Sequence, residues 1–180
     1  MTRRKRLPGL VLGLTALLLS IPSSAGATHV RCQGRLVPHD PDLLGTDSAD
    51  YLEGTTGSDV MHARDNPSGT VDYSYGRGGD DTMCGGGGYD VMDGMGGNDS
   101  MTGGGWDDTM AGGPGNDTIK GGPSEDDLFG EDGNDQLWDG FGADWLSGGD
   151  GSDTLYLCNN DGVAEAMISD NIERIYYVTC

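Results

Sequence analysis

From Gly76 to Tyr156 the chain reads, without a gap, as nine nonapeptides: GRGGDDTMC, GGGGYDVMD, GMGGNDSMT, GGGWDDTMA, GGPGNDTIK, GGPSEDDLF, GEDGNDQLW, DGFGADWLS and GGDGSDTLY. The sixth residue is Asp in every unit: Asp81, Asp90, Asp99, Asp108, Asp117, Asp126, Asp135, Asp144 and Asp153. The eighth is apolar in every unit. Such agreement in register arises by chance less than about once in 10^5, so the period is structural and not a by-product of Gly/Asp composition. Upstream, Gly45 to Glu53 (GTDSADYLE) and Gly54 to His62 (GTTGSDVMH) keep the pattern and put Asp50 and Asp59 at the sixth place. Four extra residues follow, Ala63 to Asn66. A degraded copy, PSGTVDYSY from Pro67 to Tyr75, then retains Asp72 but carries Ser74 at the eighth place.

Each position has a physical reading. Glycine at the first, second and fourth places permits the left-handed angles of a tight turn and lets carbonyls approach without obstruction. The last three residues suit a short strand, in which alternation sends the eighth side chain inward and the seventh and ninth outward. The expected inner column is Leu52, Met61, Met83, Met92, Met101, Met110, Ile119, Leu128, Leu137, Leu146 and Leu155. One apolar side chain per unit contributes roughly 1.5–3 kcal/mol, too little to offset about 1–2 kcal/mol of backbone entropy for each of nine residues. The turns therefore need another source of stability. Asp beside free carbonyls offers hard oxygen donors, of which Ca2+ takes six to eight, whereas Mg2+ demands a stricter octahedron. No clustered His or Cys invites a softer metal.

The pattern Gly-Gly-x-Gly-x-Asp-x-(apolar)-x resembles the haemolysin-type, or RTX, calcium-binding repeat, and GGPGNDTIK and GGDGSDTLY match it fully. The resemblance implies an all-β fold, a right-handed parallel β-roll with two nonapeptides per coil and Ca2+ between turns two repeats apart. Asp81, Asp99, Asp117, Asp135 and Asp153 would then line one edge with four sites, and Asp90, Asp108, Asp126 and Asp144 the other with three. Asp50, Asp59 and Asp72 would add up to three more. Trp106 and Ser124 at the fourth place and Asp139 at the first depart from the pattern, and weak or distorted turns are expected there. Asp80 and Asp107, at the fifth place, read as solvated surface.

The wider composition agrees. The chain has 180 residues, 34 of them Gly, with 30 acidic and 10 basic side chains and a formal charge of -20. Leu, Ile, Val and Phe together make up about a sixth of it, too few for an ordinary globular core. So acidic a chain is an improbable partner for nucleic acid. Residues 1–27 read as a secretory signal: basic Arg3 to Arg6, an apolar run from Leu10 to Leu19, and small residues ending at Ala27. The apolar run is too short for a membrane span. The organisation expected is signal 1–27, N-terminal cap 28–44, repeats 45–156 and C-terminal cap 157–180. The N-terminal signal also makes the chain similar to small secreted actinobacterial members built of little besides repeats.

Cys32, Cys84, Cys158 and Cys180 all follow the signal, and an even count in an exported chain favours two disulfides. Three connectivities are open; Cys32 with Cys84 and Cys158 with Cys180 would tie each terminal segment to nearby repeats. In the tail, Ile172 to Val178 reads as a strand covering the last coil. Trp138 and Trp145 fall at outward places, either sheltered by that tail or marking a contact patch for a protein, glycan or other surface. No Gly-x-Ser-x-Gly or His-Glu-x-x-His occurs, and no enzyme is expected. The reading is a secreted calcium-binding protein whose folding is coupled to the ion, with an adhesive module as the alternative.

Overall fold

A computed structural model of the chain describes residues 31–32, 35–36, 43–65, 69–158, 167–169 and 172–179. The signal assigned to residues 1–27 and Cys180 lie outside them. In chain order the strands are β1 Arg31–Cys32, β2 Arg35–Leu36, β3 Tyr51–Glu53, β4 Val60–Asp65, β5 Val71–Tyr75, β6 Thr82–Gly87, β7 Tyr89–Asp93 and β8 Ser100–Gly105, then β9 Thr109–Ala111, β10 Thr118–Pro123, β11 Asp127–Gly133, β12 Gln136–Phe141, β13 Trp145–Gly151, β14 Asp153–Cys158, β15 Met167–Ser169 and β16 Ile172–Val178. Apart from the β1–β2 hairpin, even-numbered strands form one seven-stranded sheet and odd-numbered strands a second, every pairing within them parallel. No α-helix occurs among the described residues. This is the parallel β-roll the repeat pattern implied. Consecutive repeats alternate between the sheets, so each coil takes two of them.

The register follows the period. Met83 sits beside Met101, Ile119 beside Leu137 and Leu128 beside Leu146. The eleven residues expected in the inner column are all buried. Ser74, the odd residue of the degraded copy, also lies in that column, paired with Leu52 and Met92 and buried. The strand Val71–Tyr75 of this degraded copy thus takes the same place in its sheet as those of the regular repeats. The four extra residues lengthen one coil, shown by Met61 pairing with Met83 twenty-two places on, and leave the phase intact.

Strands extend further than the three residues foreseen. In β14, Asp153, Leu155 and Leu157 all point inward, so the sixth, eighth and following first positions share the interior. The first-position glycine is small because the Asp carboxylate of its own repeat occupies the space a side chain would take. The glycines at the second and fourth positions serve a different need. They hold positive φ, as at Gly113 (94°) and Gly79 (108°), a region costly for residues with a Cβ.

The tail supplies β15 and β16, one further strand for each sheet, and Ile172 to Val178 forms the strand read from sequence. Trp138 is sheltered, though by a repeat residue and not by the tail: its ring stacks on Tyr156 at 3.9 Å, with Lys120 over its other side. Tyr176 of β16 continues the stack beyond Tyr156. Trp145 stays exposed, which corrects the expectation of shelter there.

Candidate metal centre

The sixth-position aspartates stand in two files, one along each edge of the roll. Asp59, Asp81, Asp99, Asp117, Asp135 and Asp153 follow one edge, and Asp50, Asp72, Asp90, Asp108, Asp126 and Asp144 the other. The links are regular: the main-chain N–H of Asp81 donates to Asp99 Oδ1 (2.7 Å), Asp99 to Asp117, Asp117 to Asp135 and Asp135 to Asp153. On the other edge Asp90 donates to Asp108 (2.9 Å), Asp108 to Asp126 and Asp126 to Asp144. At the start of the roll Asp50 donates to Asp72 and Asp59 to Asp81. Asp72, which the sequence left at the margin, stands in its file, accepting from Asp50 and lying in register with Asp90.

From Asp72 to Asp153 one oxygen of each carboxylate except that of Asp90 is thus used as a rung. The other is buried without a hydrogen bond in Asp72, Asp81, Asp99, Asp108, Asp117, Asp126, Asp135 and Asp153, and at Asp90 both oxygens are bare. A buried acceptor left bare costs about 1–3 kcal/mol, more when charged. Nine in register is not an accident of packing. Burial pushes the carboxyls of Asp81, Asp99 and Asp135 up to about 6, those of Asp90, Asp117 and Asp126 to about 7, and that of Asp108 to about 8. Neighbouring carboxylates push several of them the same way, so the files favour any bound positive charge.

The bare oxygens face a second donor type. A Cβ built on Gly94 would run into Asp99 Oδ2 and lie 2.7 Å from the Gly112 carbonyl oxygen one coil on; one on Gly112 would meet Asp117 Oδ2 and the Gly130 carbonyl. Carboxylate and carbonyl oxygens of adjacent coils therefore converge beside each first-position glycine from Gly45 to Gly130. Among the described residues no three His, Cys, Asp or Glu side chains gather into a metal site by themselves, so main-chain carbonyls must complete any ligand set. An all-oxygen set drawn from two coils suits Ca2+.

The irregular turns keep this arrangement. Trp106 (φ 85°) and Ser124 (φ 99°) adopt the left-handed backbone their glycine counterparts use, and the rungs through Asp108 and Asp126 are intact. The expected distortion is absent. Asp139 turns its carboxylate to the end of the roll, where Oδ1 accepts from the Cys158 N–H at 2.9 Å.

The sequence reading missed a second ladder, outside the first. Asn98 donates from its main chain and side chain to Asp80 Oδ1, Asn116 to Asn98 and Asn134 to Asn116, and the Ser152 N–H ends the series on Asn134. Asn at the fifth place of alternate repeats was the available signal. Asp80 is exposed as expected, and the Asn98 donors hold its carboxyl below the usual range.

Comparison with known proteins agrees with this geometry. The model of the RTX calcium-binding nonapeptide repeat matches four times, over residues 44–66, 75–105, 102–137 and 129–157. Together these cover more than half of the chain, which belongs to that family; its repeats bind Ca2+ as a β-roll. No curated protein and no solved structure gives a significant match.

Proposed function

We propose that this is an exported protein that folds as it binds calcium, the ions lying between successive turns along both edges and held by the sixth-position aspartates and main-chain carbonyls. The buried bare carboxylate oxygens carry this reading. Without a cation they set repelling anions a coil apart; with one, the same groups become ligands that exist together only when the coils stack. Asp72, Asp81, Asp90, Asp99, Asp108, Asp117, Asp126 and Asp135 each face a following coil and are the assigned ligands. The basic and apolar stretch of residues 1–27 supports export, and millimolar calcium outside a cell would then drive folding after passage.

Disulfides Cys32–Cys84 and Cys158–Cys180 belong to this proposal. The packing of β1 against β6 supports the first, and among the described residues no cysteine is free. Alkylation with and without reductant, followed by peptide mass mapping, checks both.

The deciding experiment is a calcium titration that follows circular dichroism and bound ions together, with Mg2+ as control. A cooperative gain of β signal with several ions bound supports coupled folding. An unchanged spectrum on adding calcium sinks it.

A further inference from the structure

Asp50 and Asp59 share the register of the other aspartates but not their chemistry. Asp50 Oδ2 accepts the Thr46 N–H at 2.5 Å and the Thr46 hydroxyl at 3.1 Å. Asp59 Oδ2 accepts the Thr55 N–H at 2.6 Å and its hydroxyl at 2.9 Å. In each case the donor is the second residue of the same nonapeptide, and the acceptor is the oxygen left bare in the later turns.

The cause lies in the backbone. From Arg77 to Gly149 the second position of every regular repeat has positive φ: Arg77 73°, Gly86 111°, Met95 67°, Gly104 122°, Gly113 94°, Gly122 131°, Glu131 75°, Gly140 104° and Gly149 96°. Thr46 and Thr55 are not in that region. A β-branched residue disfavours it strongly. Kept out of the left-handed state, the second N–H swings toward the carboxylate, and the hydroxyl adds a further donor.

We infer that Asp50 and Asp59 hold no calcium, and that Thr46 and Thr55 supply in these two turns the positive partner that an ion supplies in the others. The first coil is a metal-independent end on which calcium-loaded coils stack. The inference rests on the calcium reading of the later turns and narrows it: of the twelve aligned aspartates, the first two are spent on the turn itself. Local donors fill Oδ2 of both aspartates, and the Thr46 hydroxyl also reaches Oδ1 of Asp50 at 3.2 Å; this lowers the charge available to a cation and occupies the ligand a site would need.

The test counts bound calcium per whole protein after equilibrium dialysis, with circular dichroism as the check on folding. Asp50→Asn with Asp59→Asn should leave the count unchanged, whereas Asp99→Asn with Asp117→Asn should lower it by about two. Loss of ions from the first pair overturns the inference. Thr46→Gly with Thr55→Gly, which admits the left-handed turn, should raise the count by about two, and an unchanged count in a folded protein overturns the inference also. That variant decides the matter if the first fails to fold. A wild-type protein that binds no calcium would instead defeat the reading of the whole roll.

Discussion

The two edges of the roll are built from alternate copies of one nonapeptide, yet they are held differently. The edge through Asp99 and Asp117 carries a continuous outer ladder from Asp80 through three asparagines to Ser152. The edge through Asp108 and Asp126 has Tyr89, Asp107, Glu125 and Ala143 at the equivalent places, joined by one long bond from the Glu125 N–H to Asp107 at 3.3 Å. It also carries both non-glycine fourth positions of the nine contiguous repeats, Trp106 and Ser124. The comparison teaches that both edges present the same inner carboxylates and inner rungs, while only one adds a continuous outer ladder that needs no metal. On the calcium reading proposed above, the second edge would lean more heavily on its cations.

The largest effect that could break this comparison is removal of calcium. Chelation should abolish most of the β signal, and hydrogen exchange at partial loading should show the asparagine edge protected longer; equal protection would erase the distinction. Leu137→Ala, in the core shared by both edges, should cost about 2–5 kcal/mol by urea unfolding in saturating calcium, because a fully buried column residue leaves a cavity. Asn116→Ala removes two sets of rungs and should cost about 1–2 kcal/mol, against less than about 0.5 kcal/mol for Asp107→Ala on the other edge. The pair measures the ladder directly.

Acidity sharpens the contrast further. The buried carboxyls titrate above their unfolded range, so the metal-free roll gains stability that is full below about pH 4 and is lost as pH rises through 6 to 8. In chelator the β signal should therefore be greater at pH 4.5 than at pH 8. In calcium the order reverses, since protons compete with the ion. Asp90, Asp108 and Asp126 titrate at about 7, 8 and 7, so their edge should lose affinity first as pH falls. A small effect of opposite sign is expected of Ser124→Gly, which relieves a left-handed non-glycine residue and should stabilise the protein by about 0.5–1 kcal/mol in a thermal melt.

Much of this was legible because the period of nine fixes which residues recur together. The inner column from Met83 to Leu155 and the sixth-position files followed from it directly. Asp72 and Ser74 were obscured by the insertion at Ala63 to Asn66, which breaks the count without breaking the register. The state of the second residue was harder to see. Thr55, Arg77 and Met95 all replace glycine there, yet only the β-branched Thr55 stays out of the left-handed region and bonds to Asp59. Likewise the inward first position appears only once the strands are seen to run past the ninth residue.

The lengthwise bonds of both ladders join residues eighteen apart through the regular repeats, and this constrains how such a gene can change in size. Gain or loss of a single nonapeptide would bring Asn116 opposite a tyrosine or glutamate and exchange the two faces from that point onward. Gain or loss of a pair would preserve every rung. The lineage of this protein should therefore lengthen and shorten by whole coils, with odd insertions tolerated only where, as between β4 and β5, they lengthen a single coil and leave the register of its strands intact.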